Sequence, residues 1–210
     1  MKKVDVQELY DQFYVDNDLE RADLFQSLKL KFNINSVLYP GCFAHITPSF
    51  FFSEVVYVDT DRRAKKFFEQ NISVADLISK RKTYYLDAVF NFILSDYSKP
   101  LDLDEMSFDL LISQYAGFVS QACKRYLMIG GILLTNNSHG DAGMASIDDD
   151  YEFIAAVYVM NGKYNITDGN LESYFIPKKQ IKVTKEYLEE LGKGVGYTKT
   201  ANSYIFKRVS

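Results

Sequence analysis

The chain has 210 residues and a formal net charge of −4, with 47% hydrophobic and 25% charged residues. That length and balance fit one domain (residues 1–210) around a single large core, and they exclude a disordered chain. A basic nucleic-acid binder would carry clustered positive charge; the short runs Arg62-Arg63, Lys65-Lys66 and Lys80-Arg81-Lys82 read instead as solvated helix faces, so no nucleic-acid partner is expected.

Cys42 and Cys123 stand far apart with no CxxC spacing, which argues against a disulfide framework or a structural zinc site. The start, MKKVDVQELYDQF, has no apolar core of a signal peptide. No run approaches the roughly 18 apolar residues of a membrane span. The expectation is a cytoplasmic protein with no membrane partner.

In chain order, residues 4–31 read as an N-terminal helical segment, with Ala22, Leu24, Phe25 and Leu28 as its apolar stripe. Ser36 to Tyr39 is a strand stopped at Pro40-Gly41. Pro48 suits the first turn of a short helix beginning near Thr47. Phe50, Phe51 and Phe52 read as core, with an aromatic ligand platform as the sharper alternative. Val55 to Val58 is a second strand, and Asp61 looks like the N-cap of a helix that buries Ala64, Phe67 and Phe68. Residues 73–82 are amphipathic, and Val89 to Leu94 is a third strand.

FDLLIS at 108–113 is nearly continuous apolar sequence, as a parallel strand buried on both faces requires. The pattern then predicts a helix over 119–128, broken by Gly130-Gly131, and a strand over 132–135. Tyr151 to Met160 and Lys163 to Thr167 flank Asn161-Gly162, a strong hairpin signal. Val183 to Leu191 reads as a helix ended by Gly192 and Gly194, and Ser203 to Val209 as a last strand. Short apolar runs alternating with amphipathic helices mark an α/β sheet.

The stretch SVLYPGCFAHITPSFFFSEVVYVDTD, residues 36–61, has the outline of a nucleotide-binding half: strand, glycine turn, connector, strand, acid. Together with FILSDY at 92–97, FDLLISQYAGF at 108–118 and GGILLTNN at 130–137, it resembles the class I S-adenosylmethionine-dependent methyltransferases. The resemblance covers nearly all of the chain after residue 20. It implies a Rossmann-like, seven-stranded, mostly parallel sheet with helices on both faces and an antiparallel C-terminal β-hairpin. It implies S-adenosylmethionine as cofactor and a small molecule as methyl acceptor.

By the same resemblance, the cofactor contacts fall at Tyr39, Gly41, Asp59, Thr60, Asp96, Tyr97 and Gln114. Asp59 would accept the ribose hydroxyls, for which a carboxylate is the natural partner. Asp96 would sit by the adenine amino group, with Tyr97 or Phe92 near the ring. Gln114 and Tyr115 would face the methyl group, and Tyr115, Asn136 and His139 are the candidate substrate contacts. Turn, cap or loop roles compete at Asp59, Asp96, Asn136 and His139. Neither His45 nor His139 has a partner at metal-ligand spacing, so no metal is expected.

This chain departs from the family pattern in the first loop. Tyr39 replaces the acid two residues before the glycine, and Phe43 and His45 replace the second and third glycines. These positions separate two readings: a methyltransferase, or a binding module that kept the sheet and lost the loop. A Phe43 ring in the space above Gly41 would favour the second. A nicotinamide oxidoreductase is a third reading, against which the missing GxGxxG counts.

Overall fold

Eight strands form one sheet within residues 5–210, the part of the chain that the computed structural model describes. They are β1 (Ser36–Pro40), β2 (Glu54–Asp59), β3 (Val89–Leu94), β4 (Phe108–Ser113), β5 (Leu127–Thr135), β6 (Tyr151–Met160), β7 (Lys163–Thr167) and β8 (Ser203–Arg208). Their order across the sheet is β3-β2-β1-β4-β5-β8-β6-β7. The first five are parallel, and β8, β6 and β7 pair antiparallel with their neighbours.

The seven-strand expectation is therefore one strand short. The hairpin at Asn161-Gly162 supplies the extra one: both residues take left-handed φ (52° and 74°), the turn chemistry that folds β7 back on β6. The strand inserted into the sheet interior is the last one, β8, and it lies outside that hairpin.

Side chains along the strands alternate between two cores, because successive residues point to opposite faces. Val37, Tyr39, Val55, Tyr57, Leu110 and Ile112 enter the first core. Leu38, Val56, Val58, Leu111 and Leu133 enter the second. The first face is covered by α1 (Val6–Tyr10), a π-helical turn (Asp11–Val15), α2 (Ala22–Lys31), α3 (Arg62–Phe68) and α4 (Asn71–Arg81). The second is covered by α5 (Val119–Ala122), α6 (Asp141–Ser146) and the connector carrying Leu101. A seventh helix, α7 (Lys185–Leu191), buries Leu188 against Met144, Val195 and Tyr197.

Several helix ends follow their sequence signals. Asp61 caps α3 by accepting the Arg63 N–H at 2.7 Å. Thr184 caps α7, and Gly192 closes it in the left-handed conformation (φ 61°). Phe50, Phe51 and Phe52 are packed in the first core, which settles them as core residues; truncating Phe52 to Ala would cost about 3–5 kcal/mol.

Other elements differ. Val4, the first residue of the long N-terminal helix, lies outside the described residues, and the rest of that span is interrupted. Asp18 and Arg21 adopt left-handed φ (54° and 55°), which no helix interior accommodates, so α2 begins afresh at Ala22. The helix expected over 119–128 ends at Ala122. Gly130 and Gly131 lie inside β5, where Gly130 (φ 86°) accommodates an irregularity in the pairing with β4. The short helix expected near Thr47 does begin there, with Pro48 in its first turn, and is a single 3₁₀ turn, Thr47–Phe50. Among the described residues, no helix is long and apolar enough to cross a membrane.

Candidate functional site

The carboxyl ends of β1, β2 and β3 converge on a cleft of about 320 Å³ lined by Gly41, Asp59, Thr60, Asp96, Tyr97 and Ser98. Its first wall is the turn after β1. Gly41 takes φ 69° and donates its N–H to the Val58 carbonyl at 2.8 Å. A Cβ at this position would lie 2.9 Å from the Ala116 Cβ. Glycine is required twice here, by conformation and by space.

Asp59, at the end of β2, joins the next two segments. Its Oδ2 accepts the Phe43 N–H at 2.7 Å and its Oδ1 accepts the Asp61 N–H at 2.8 Å. Beyond β3, Asp96 Oδ1 accepts from the Ser98 backbone N–H (2.9 Å) and hydroxyl (2.7 Å). Those bonds favour the charged carboxylate and hold its pKa below the usual value. The Tyr97 hydroxyl accepts the Gly117 N–H at 2.9 Å, fastening the cleft wall to the loop after β4. Burial pushes the Tyr97 pKa up.

The two residues in place of loop glycines turn away from the cleft. Phe43 adopts φ 48° and its ring packs edge-on against Phe13, 4.9 Å between centroids, under the Arg63 guanidinium at 5.0 Å. It does not line the cleft. His45 is a core residue, 2% exposed. Its Nε2 faces the Glu20 carbonyl at 3.1 Å and must carry the proton, since a carbonyl only accepts. Nδ1 is then the acceptor for the Tyr39 hydroxyl at 3.1 Å. Burial, then the nearby Arg21 charge, lowers the His45 pKa to about 3.

Tyr39, expected among the cofactor contacts, does not line this cleft. Its side chain is buried on His45, away from the cleft lining. Alternation along β1 sends residue 39 into the first core, while the cleft lies beyond the strand end. Cys42 is also buried, and desolvation raises its thiol pKa well above the ordinary value, so it is an inert packing group.

Past β4, Gln114 is buried and accepts from Arg21 Nη1 at 3.3 Å. Tyr115 is exposed with φ 59°, and the Arg21 guanidinium lies 4.8 Å from its ring centroid. Past β5, Asn136 is buried, its Oδ1 holding the Ser138 N–H and hydroxyl, while His139 is exposed. The structure thus brings Gly41, Asp59, Thr60, Asp96 and Tyr97 to one cleft, and Gln114 and Tyr115 to a second cluster around Arg21. Among the described residues, no three or more His, Cys, Asp or Glu side chains converge as a metal site would.

Sequence reasoning missed Asp141. It stands in GDAGMAS, residues 140–146, whose Gly and Asp are spaced as a loop or a helix start; the segment is the helix start, and Asp141 opens α6 at 1% exposure. Ser113 and Ser120 hydroxyls donate to it at 2.5 Å and Thr135 at 3.2 Å, with the Ser120 N–H at 3.2 Å. Burial raises its pKa to about 6 against the lowering by those donors. The available signal was the polar end of each buried strand: Ser113 and Thr135 both need a partner inside.

No family model matches the chain, and no curated protein matches it. Solved structures similar to it include S-adenosylmethionine-dependent methyltransferases. One from Methanosarcina mazei is 14% identical over 85% of this chain and 94% of its own, with a TM-score of 0.45. A methyltransferase from Geobacter sulfurreducens is 15% identical over 79% of this chain and 89% of its own, with a TM-score of 0.46. The cyclase SpnF is 13% identical over 55% of this chain, with a TM-score of 0.39; the likeness spans 44% of that protein, less than half of its length.

Proposed function

We propose that this protein is an S-adenosylmethionine-dependent methyltransferase acting on a small molecule. The observation that carries the reading is the cleft: two acids from successive parallel strands and a glycine turn face one opening at the carboxyl edge of the sheet. The antiparallel strands β8, β6 and β7 beside the parallel block support it, because the family resemblance of the sequence implies antiparallel C-terminal strands.

The residues fit the cofactor. Each Asp59 oxygen accepts one N–H and keeps a lone pair directed elsewhere, so the carboxylate can still receive the two ribose hydroxyls. Thr60 would border the ribose, Asp96, Tyr97 and Ser98 would form the adenine side, and Gly41 would present its backbone. The volume of about 320 Å³ is at the small end for ligand sites. The bound cofactor supplies a methyl group on a positively charged sulfur. Transfer is an in-line displacement, so the chain's part is positioning. Gln114 and Tyr115 orient the acceptor, and the N-terminal segment, through Phe13 on Phe43 and Tyr14 on His45, keeps water from the first loop.

A second reading, a binding module without turnover, draws on the same clamp, since both Asp59 oxygens already hold backbone N–H groups. Calorimetry with S-adenosylhomocysteine tests the first. Wild type is expected to bind and Asp59→Ala to bind at least tenfold more weakly; no binding to the folded wild type overturns it. Binding without transfer of labelled methyl to any small molecule selects the second.

A further inference from the structure

Three polar side chains at the carboxyl edge of the sheet share one face. Gln114 stands two residues after Ile112, Asn136 two after Leu134, and Ser203 two before Ile205, and these three aliphatic residues meet in the first core. Gln114 Nε2 donates to Ser203 Oγ at 3.3 Å. Asn136 neighbours Gln114 across the β4–β5 pair, one residue beyond Ser113 and Thr135. It is 5% exposed, and among the described residues its Nδ2 has no hydrogen-bond partner. A buried donor left unmet is a demand for an acceptor.

Arg21 reaches the same floor. Its Nη1 donates to Gln114 Oε1 at 3.3 Å, and its guanidinium lies 4.8 Å from the Tyr115 centroid. Among the described residues it forms no ion pair with a carboxylate. Arg21 also lines a cavity of about 480 Å³ with Tyr14, Val159 and Tyr164, between the N-terminal segment and the β6–β7 hairpin. That volume suits a small molecule. Three carboxylates border the cavity. Glu20 is taken by Arg81 at 2.5 Å, Asp18 is exposed, and Asp23 lies in the first turn of α2. The group that links the cavity to buried Gln114 is the guanidinium.

We propose that this cavity is the acceptor site and that the acceptor carries a carboxylate or a phosphate paired with Arg21. This rests on the methyltransferase reading above. A planar guanidinium matches either anion with two parallel hydrogen bonds, and the tyrosines beside it suit an aromatic or similarly flat body.

The test is ligand-observed NMR titration of benzoate, phenyl phosphate and benzamide in saturating S-adenosylhomocysteine, on wild type, Arg21→Gln and Arg21→Lys. At least one anion is expected to bind and benzamide to bind at least tenfold more weakly. Arg21→Gln is expected to weaken that anion tenfold or more, and Arg21→Lys less. Benzoate against phenyl phosphate distinguishes the two head groups. Equal binding of benzamide, an unchanged affinity in Arg21→Gln, or no binding by either anion overturns the proposal. S-adenosylhomocysteine affinity, measured on the same samples, is expected to be unchanged in the variants; its absence in wild type is a failure of the methyltransferase reading and is seen separately.

Discussion

The Phe43 N–H donates to Asp59 Oδ2 at 2.7 Å, tying the turn after β1 to the end of β2. One carboxylate therefore has two duties, holding the loop and facing the cleft. Asp59→Ala leaves the Phe43 and Asp61 N–H groups without their acceptor and should lower stability by about 1–2 kcal/mol. Asp59→Asn keeps one acceptor oxygen and should recover part of that loss while still binding S-adenosylhomocysteine poorly. Chemical denaturation and calorimetry on both variants separate the duties.

Gly41→Ala should destabilise the fold. It forces an alanine to φ 69° and brings its Cβ 2.9 Å from the Ala116 Cβ. The left-handed conformation alone costs about 1–2 kcal/mol. Adding Ala116→Gly removes the clash and leaves the conformational cost, so the double variant should melt between wild type and Gly41→Ala. A double variant no more stable than the single one would show that space is not part of the requirement.

Asp141 should make stability fall as pH rises from about 4 to 6. Its folded pKa is raised to about 6 from 3.8 because burial disfavours the charge. Between those values the folded state binds more proton than the unfolded chain, so the native state is favoured on the acid side. Above pH 6 the full penalty applies, about 3 kcal/mol at about 1.4 kcal/mol per unit. Asp141→Asn has no such titration. Its stability relative to wild type should improve by that order between pH 4 and 7, measured by urea unfolding at each pH. The difference between the two proteins cancels the other carboxylates.

His45 titrates with the opposite sign. Burial lowers its folded pKa to about 3 from 6.5, so its contribution is complete above pH 6.5 and is lost as pH falls toward 3. The imidazole should stay neutral, with the proton on Nε2, in nitrogen NMR spectra of the folded protein from pH 8 to 5. Protonation near pH 6.5 in the native state would contradict the buried Glu20–His45–Tyr39 chain.

Much of the sheet was legible because its strands are continuous apolar runs with sharp stops. VLYPG, VVYVD and FDLLIS each end where a glycine, an acid or a polar pair appears. Asp59 and Asp96 could be picked out for the same reason: they close strands, and strand ends meet at the sheet edge. What the sequence hid was direction and depth. Nothing in the run from Gly41 to Ile46 says that Phe43 turns outward onto Phe13 or that His45 sinks onto Glu20. Those depend on residues some 25 to 30 positions earlier in the chain, in a segment whose left-handed Asp18 and Arg21 look like ordinary helix formers on paper. Arg21 was invisible as a site residue because its partners, Gln114 and Tyr115, lie more than 90 positions away. Gly130-Gly131 misled because a glycine pair reads as a helix stop, while here it bends a strand.

The position of β8 has a consequence in time. Among the described residues, the parallel block β1–β5 and the pair β6–β7 are hydrogen-bonded into one sheet only through Ser203–Arg208. Until residues 203–208 are made, each block exposes an edge that the finished sheet covers. β5 and β6 are those edges, and an open apolar edge invites pairing with another chain. β8 acts as the key that locks the two blocks together.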